Sequence, residues 1–140
     1  MYSLTIFYNS KEWHKKTEKR FEIKLHRKNL KPAVFKWEEN NLKEEYWIDG
    51  HEYADTGDYL IKIGLNKKVP KIIYKNGTKE WWVEGKLHRI DDPAIEYANG
   101  DKEWWLYGFR HRANGPAVII RNKHYWFERG EFIKYEEKNV

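Results

Sequence analysis

Three prolines, Pro70, Pro93 and Pro116, stand 23 residues apart, and the sequence around them repeats. From Pro70 the chain reads PKIIYKNGTKEWWVEG, from Pro93 PAIEYANGDKEWWLYG, and from Pro116 PAVIIRNKHYWFERG, one residue shorter in the turn. A period of this length implies one supersecondary unit per repeat, stacked on its neighbours. Each unit has the pattern of a β-hairpin. β-Branched and aromatic residues at Ile72 to Tyr74 and Ile95 to Tyr97 favour a strand. Asn76-Gly77 and Asn99-Gly100 then supply a tight turn, where φ must be positive and Asn-Gly accepts it cheaply. A second strand follows, Lys79 to Val83 or Lys102 to Leu106, and Gly85, Gly108 and Gly130 punctuate its end. The proline opens the next strand, where a missing N–H does least harm. No segment shows a helical period.

Connectors join the units, KLHRIDD before Pro93 and FRHRANG before Pro116, so that His88-Arg89 and His111-Arg112 are again 23 apart. A looser copy runs from Leu25 to Gly50, with Leu25-His26-Arg27 and Pro32-Ala33 in the connector positions. Gly50 lies 18 positions after Pro32, whereas Gly85 lies 15 after Pro70, which predicts a turn longer by three. The segment IFYNSKEWHKK near the N-terminus is like the middle of a further, partial unit. The expected fold is all-β, an antiparallel single-layer meander of tandem hairpins with a repeat of about 23 residues. The 140 residues suffice for one domain: degenerate repeats over 1–50, an insertion over 51–69, regular repeats over 70–130 and a C-terminal tail over 131–140. The insertion is compatible with another hairpin, since Tyr59 to Ile63 alternates, or with a loop.

Composition suits such a thin structure. Charged residues make up 35% of the chain and aromatic residues 17%, including 8 Trp and 10 Tyr, whereas a disordered chain is poor in rings. The net charge of +5 favours anionic partners, but 22 acidic residues are interspersed with 27 basic ones, unlike the segregated basic face of a duplex-DNA binder. With no cysteine, disulfides and thiolate metal sites are excluded. There is no signal-peptide pattern at the N-terminus and no apolar run of membrane-spanning length, so a soluble, cytoplasmic protein is expected.

Stacked hairpins place equivalent residues side by side. Four residues before each closing glycine stand Tyr46, Trp81, Trp104 and Trp126; three before it stand Trp47, Trp82, Trp105 and Phe127. A further row, Val34, Ile72, Ile95 and Val118, lies two after each proline. Adjacent strand positions face opposite sides, so both faces carry rings. These rings are either the core, stabilising one another at roughly 0.2–1 kcal/mol per pair, or an exposed platform interleaved with cations. One ladder could serve each role. Arg27, Arg89 and Arg112, with His88 and His111, form a row able to grip phosphates or carboxylates. The same residues could instead bond the connector backbone, pair with Asp91 or Asp92, or lie over tryptophan faces. Repetition favours that structural role, because a residue present in every unit is usually needed by the unit. The binding candidates are therefore Arg27, Arg89, Arg112, His88 and His111 with Trp81, Trp104, Trp126, Trp82 and Trp105. Individual function is best sought where the repeat breaks, at residues 14–24 and 51–69.

Catalytic patterns are weak. There is no Gly-rich phosphate loop, nucleophile elbow or metal-binding histidine spacing. His88, Asp91 and Asp92 lose their acids one unit on, at His111, Asn114 and Gly115. No enzyme activity, cofactor or metal is expected.

The pattern W-x-x-G-x-x-HR-x-x-x-PA resembles MORN-type (membrane occupation and recognition nexus) repeats, in the variety found in bacteriophage and giant-virus proteins. GFRHRANGPAVI from Gly108 and GKLHRIDDPAI from Gly85 carry the likeness, with Asp92 where the pattern prefers glycine. The resemblance implies a hairpin meander and an adaptor or scaffold role. On that basis the expected function is a non-catalytic binding protein, phage-encoded, that engages a host protein in the host cytoplasm and inhibits it, for instance a defence factor. A nucleotide or nucleic-acid binder using the aromatic ladder and the His-Arg row is the alternative. An anionic lipid surface has only the basic charge and the family name behind it, since no amphipathic basic helix is present. Open sheet edges leave room for oligomers.

Overall fold

The computed structural model describes strands at 2–7, 10–16, 23–25 and 34–38 and the continuous stretch 41–138, with side chains from Tyr46 to Lys138. All regular structure there is antiparallel β, as the repeat predicts. The chain divides into two compact units, Met1–Gly64 and Leu65–Val140.

In the first unit, β1 (Tyr2–Phe7) and β2 (Ser10–Lys16) form a hairpin. The other edge of β2 pairs with β3 (Ile23–Leu25) and then with β4 (Val34–Glu38). The meander continues through β5 (Asn41–Ile48), β6 (His51–Asp55) and β7 (Tyr59–Lys62). The extra residues between Pro32 and Gly50 do not lengthen a turn. Val34 pairs with Glu45 and the ladder runs out to Glu38 opposite Asn41, so the added chain extends the strands. Nor is the 51–69 segment wholly irregular, because β6 and β7 form a hairpin closed by Thr56 N donating to Tyr59 O.

The second unit holds the regular repeats. Its main sheet has the order β8 (Ile72–Tyr74), β9 (Lys79–Glu80), β12 (Ile95–Glu96), β13 (Lys102–Glu103), β16 (Val118–Ile120), β17 (Lys123–Glu128), β18 (Glu131–Glu137). Beside it lie two small hairpins, β10 (Trp82–Val83) with β11 (Lys86–Leu87), and β14 (Trp105–Leu106) with β15 (Phe109–Arg110). Each repeat is thus two hairpins rather than one. The glycine that marks a strand end in the sequence sits in a second turn. Residues 131–137 are likewise a strand on β17 and not a tail.

The two turns use different chemistry. Glu84-Gly85, Tyr107-Gly108 and Arg129-Gly130 each have positive φ at both positions, 50° and 73°, 48° and 82°, 49° and 83°. That is the signature of the type I′ turn, whose twist matches the flanking strands. Asn76-Gly77 does not follow the rule expected of it. Only Gly77 has positive φ, at 96°. Gly77 N donates to Tyr74 O and Tyr74 N to Thr78 O, which makes a three-residue loop with a glycine bulge. Asn76 earns its place through its side chain, with Oδ1 accepting from Thr78 N at 2.9 Å, and Asn99 accepts from Asp101 N in the same way.

Between the main sheet and each small hairpin stands a tryptophan. Trp81 N donates to Ala94 O of the next repeat, and Trp81 O accepts from His88 N of its own connector. Trp104 does the same with Ala117 and His111. Both rings are buried, with Ala94 and Ala117 at 0% exposure beside the chain that carries them. Ile95 and Val118 of the row after each proline complete this core with Ile73.

Replacing Gly85 by alanine tests the turn. A Cβ there would meet nothing within 4 Å, so the cost is backbone strain alone. About 1–2 kcal/mol of stability is expected to be lost in urea unfolding. Gly130→Ala should lose more, because its Cβ would also meet Phe109 at 3.0 Å. Equal stability of the two variants would contradict this.

Candidate functional site

The connectors occupy one face of the regular repeats, and their His-Arg pairs are built into it. Arg89 lies over the Trp81 ring at 3.8 Å and Arg112 over the Trp104 ring at 3.8 Å. Arg89 Nη1 donates to Pro93 O at 3.1 Å, and Arg112 Nη1 to Pro116 O at 3.2 Å. Each guanidinium therefore covers a ring and ties down the residue that starts the next strand. Stacking of this kind is worth about 0.5–2 kcal/mol. It offsets a cost, since Nε1 of both buried rings has no acceptor among the described residues.

The histidines reach forward to the next repeat. His88 Nδ1 accepts from Tyr107 N at 3.0 Å, and His111 Nδ1 from Arg129 N at 3.1 Å. These amides belong to the first residues of type I′ turns, whose N–H has no partner inside the turn. The His88 ring also packs on Tyr107, with centroids 4.4 Å apart. A second link works at the other end of the hairpins, where Ala98 N donates to Thr78 Oγ1 and Arg121 N to Asp101 Oδ1. Of the candidates for an exposed platform, Trp81 and Trp104 are thus core, and His88, at 8% exposure, is buried. Trp82, Trp105 and Trp126 are half-buried. Trp82 and Trp105 donate Nε1 to Glu80 and Glu103 at 2.7 and 2.8 Å. Lys134 lies over Trp126 at 4.4 Å. Arg27 falls outside the described residues.

Glu103 is a buried carboxylate with three donors around it. Besides Trp105 it accepts from the Tyr97 hydroxyl at 3.1 Å and from Arg110 Nε at 3.4 Å. Burial and the neighbouring Glu103 charge push the Tyr97 hydroxyl up to about 12, so Tyr97 stays a donor through the physiological range.

Grooves run between successive connectors. One of about 410 Å³ lies between the 88–91 and 111–114 segments, over Trp104 and Leu106. A smaller one of about 320 Å³ repeats it one unit earlier, with Val83, His88 and Arg89 in the places of Leu106, His111 and Arg112. Lys67 and Lys68, from the 51–69 segment, form its far wall. A third, of about 480 Å³, is lined by Leu106, Tyr107, Phe109, His111 and Arg129. Large apolar side chains stand open along these grooves: Ile90 is 67% exposed, Tyr107 67% and Phe109 57%. Sequence reasoning passed over all three, because they occupy positions where the repeats differ. The signal was present in that difference, since His51, Lys86 and Glu131 stand after the other closing glycines where Phe109 follows Gly108. Among the described residues no group of His, Asp and Glu is placed to hold a metal ion, and no helix is long and apolar enough to cross a membrane.

His88 gives the connector a pH dependence. Only an unprotonated Nδ1 can accept from Tyr107 N. Burial, and then repulsion from Lys67, lower the imidazole below its ordinary value of 6.5. Below that value the unfolded chain binds a proton that the folded chain resists. The contribution of His88 is fully present above 6.5 and declines as pH falls through it. Urea unfolding on either side of this pH should show the loss. His88→Ala should flatten that dependence and lower stability by about 1 kcal/mol at neutral pH; an unchanged pH profile would remove His88 as its cause.

Comparison of the chain with family models, with curated proteins and with solved structures finds no match.

Proposed function

We propose that the chain is a non-catalytic binding module that grips a partner protein along its connector grooves. One observation carries this reading: the fold leaves Ile90, Tyr107 and Phe109 open beside grooves that repeat with the hairpins. The repeat already buries Trp81 and Trp104 and stacks Arg89 and Arg112 on them, so its structural needs are met without the three open side chains. Exposed rings next to arginine are what interface hot spots are made of. A host protein is the class of partner that the phage-type resemblance brings in, and inhibition of that protein is the expected consequence of such binding. The nucleic-acid alternative draws less support, because Trp81 and Trp104 of its ring platform are buried and Arg89 and Arg112 already cover them.

The test is capture from cell lysate by the tagged chain. The double variant Tyr107→Ala/Phe109→Ala is expected to lose a retained protein, through a loss of about 2 kcal/mol or more in binding. Its melting temperature should stay close to that of the unaltered chain, since neither ring is core. Ile120→Ala, an exposed side chain outside the grooves (41% exposed), serves as control. Capture that is indifferent to Tyr107 and Phe109 would refute the assignment of the face.

A further inference from the structure

The two arginines of the connectors are equivalent in backbone and ring contacts but not in charge. Arg89 holds Glu96 at 3.2 Å and Asp92 at 3.7 Å. One unit on, the residue 23 after Glu96 is Ile119 and the residue 23 after Asp92 is Gly115. Arg112 therefore keeps its place over Trp104 and its bond to Pro116 O, but both carboxylates are gone. Among the described residues it makes no ion pair within 4.0 Å. At position 115 a Cβ would fall 2.9 Å from Arg112 Nη1, so a side chain there would require the guanidinium to shift. Half-burial lowers the basicity of this guanidinium without bringing it near neutrality.

Arg112 also opens into the groove of about 410 Å³, with Ile90 and Tyr107 on the walls. Asp91, on the opposite connector, lines the groove without pairing with Arg112. Arg129 in the adjoining groove and Lys67 and Lys68 in the preceding one likewise make no ion pair among the described residues, so the face as a whole is short of negative charge.

We infer that Arg112 is the receptor for a carboxylate supplied by the bound partner, in the position that Glu96 and Asp92 fill at Arg89. The ligand is an acidic peptide segment, with an apolar side chain beside the carboxylate to meet Ile90 and Tyr107. This rests on the groove being the binding face. A carboxylate is argued over a phosphate because the chain itself shows carboxylates completing the same Arg-on-Trp arrangement one repeat earlier. A guanidinium with an open fork pairs a carboxylate strongly, since charge-assisted bonds are about twice as strong as neutral ones.

The test is to give Arg112 a counter-ion of its own. Ile119→Glu places a carboxylate where Glu96 stands in the preceding unit, and Ile119→Gln matches its shape without charge. The probes are a fluorescent short peptide alternating Glu and Leu, its Lys–Leu counterpart, and oligothymidine, followed by polarisation. The Glu–Leu peptide is expected to bind the unaltered chain and the Lys–Leu peptide is not. Ile119→Glu should weaken Glu–Leu binding about tenfold or more and raise the melting temperature, while Ile119→Gln leaves binding unchanged. Arg112→Gln should weaken it equally, and because that change also removes the ring cover, Ile119→Glu is the decisive variant. Unchanged affinity in Ile119→Glu overturns the inference, as does tighter binding of oligothymidine that the same substitutions abolish. No binding of the Glu–Leu peptide also overturns it. If lysate capture still depends on Tyr107 and Phe109 in that case, the groove assignment survives.

Discussion

The connectors before Pro93 and Pro116 each set an arginine on a buried tryptophan, and the regular repeats depend on that pair. The strands are short, two residues in β9 to β15, and a two-stranded hairpin of that size is at best marginal in water. In the units from Pro70 and Pro93 the core centres on a buried indole, closed on one side by a guanidinium and set beside an alanine with no exposed surface, and Ile73, Ile95 and Val118 are buried with it. The arginine is suited to this in a way lysine is not. Its planar face covers the ring while its edge still donates to the proline carbonyl that begins the next strand. The histidine one residue before it completes the clamp by accepting the amide of the following turn.

Every one of these links joins a repeat to its immediate neighbour. Trp81 bonds Ala94, His88 bonds Tyr107, and Thr78 bonds Ala98, and each bond is found again one unit on with Trp104, His111 and Asp101. Stability in such an array is a sum of unit and nearest-neighbour terms. This is why the residues that recur are poor guides to function, and why the departures from recurrence are better ones. Arg89 and Arg112 are the same residue in the same place, and only the loss of Glu96 and Asp92 equivalents sets the second apart.

The period, the antiparallel hairpins and the structural use of the His-Arg pair were legible because they are repeated, and repetition cancels the noise of individual positions. The small hairpins were not. Their strands, Trp82-Val83 and Lys86-Leu87, are too short to alternate, and Glu84 or Tyr107 before the glycine hides the turn type. The Asn-Gly pair misled in the opposite sense, since Asn76 contributes a side-chain acceptor and not a left-handed backbone. The strand at 131–137 carries no proline or Asn-Gly marker, so it lay outside the repeat pattern. Of the site, Arg112 and His111 could be named from the sequence, but the openness of Ile90, Tyr107 and Phe109 could not, because exposure follows from where the small hairpins lie.

The type I′ turns have a consequence of their own. Their first positions hold Asp49, Glu84, Tyr107 and Arg129, an acid twice, a phenol and a guanidinium, all at φ near 50° and all exposed. The turn demands a left-handed backbone from that residue, and at Tyr107 and Arg129 it is the backbone amide, not the side chain, that donates to the histidine behind. Glycine removes the steric cost at the second position, and the residue at the first bears its own left-handed backbone whatever its side chain. Each repeat thus offers one projecting position whose chemistry can change without disturbing the array, and a row of such positions is a variable alphabet written on an invariant frame.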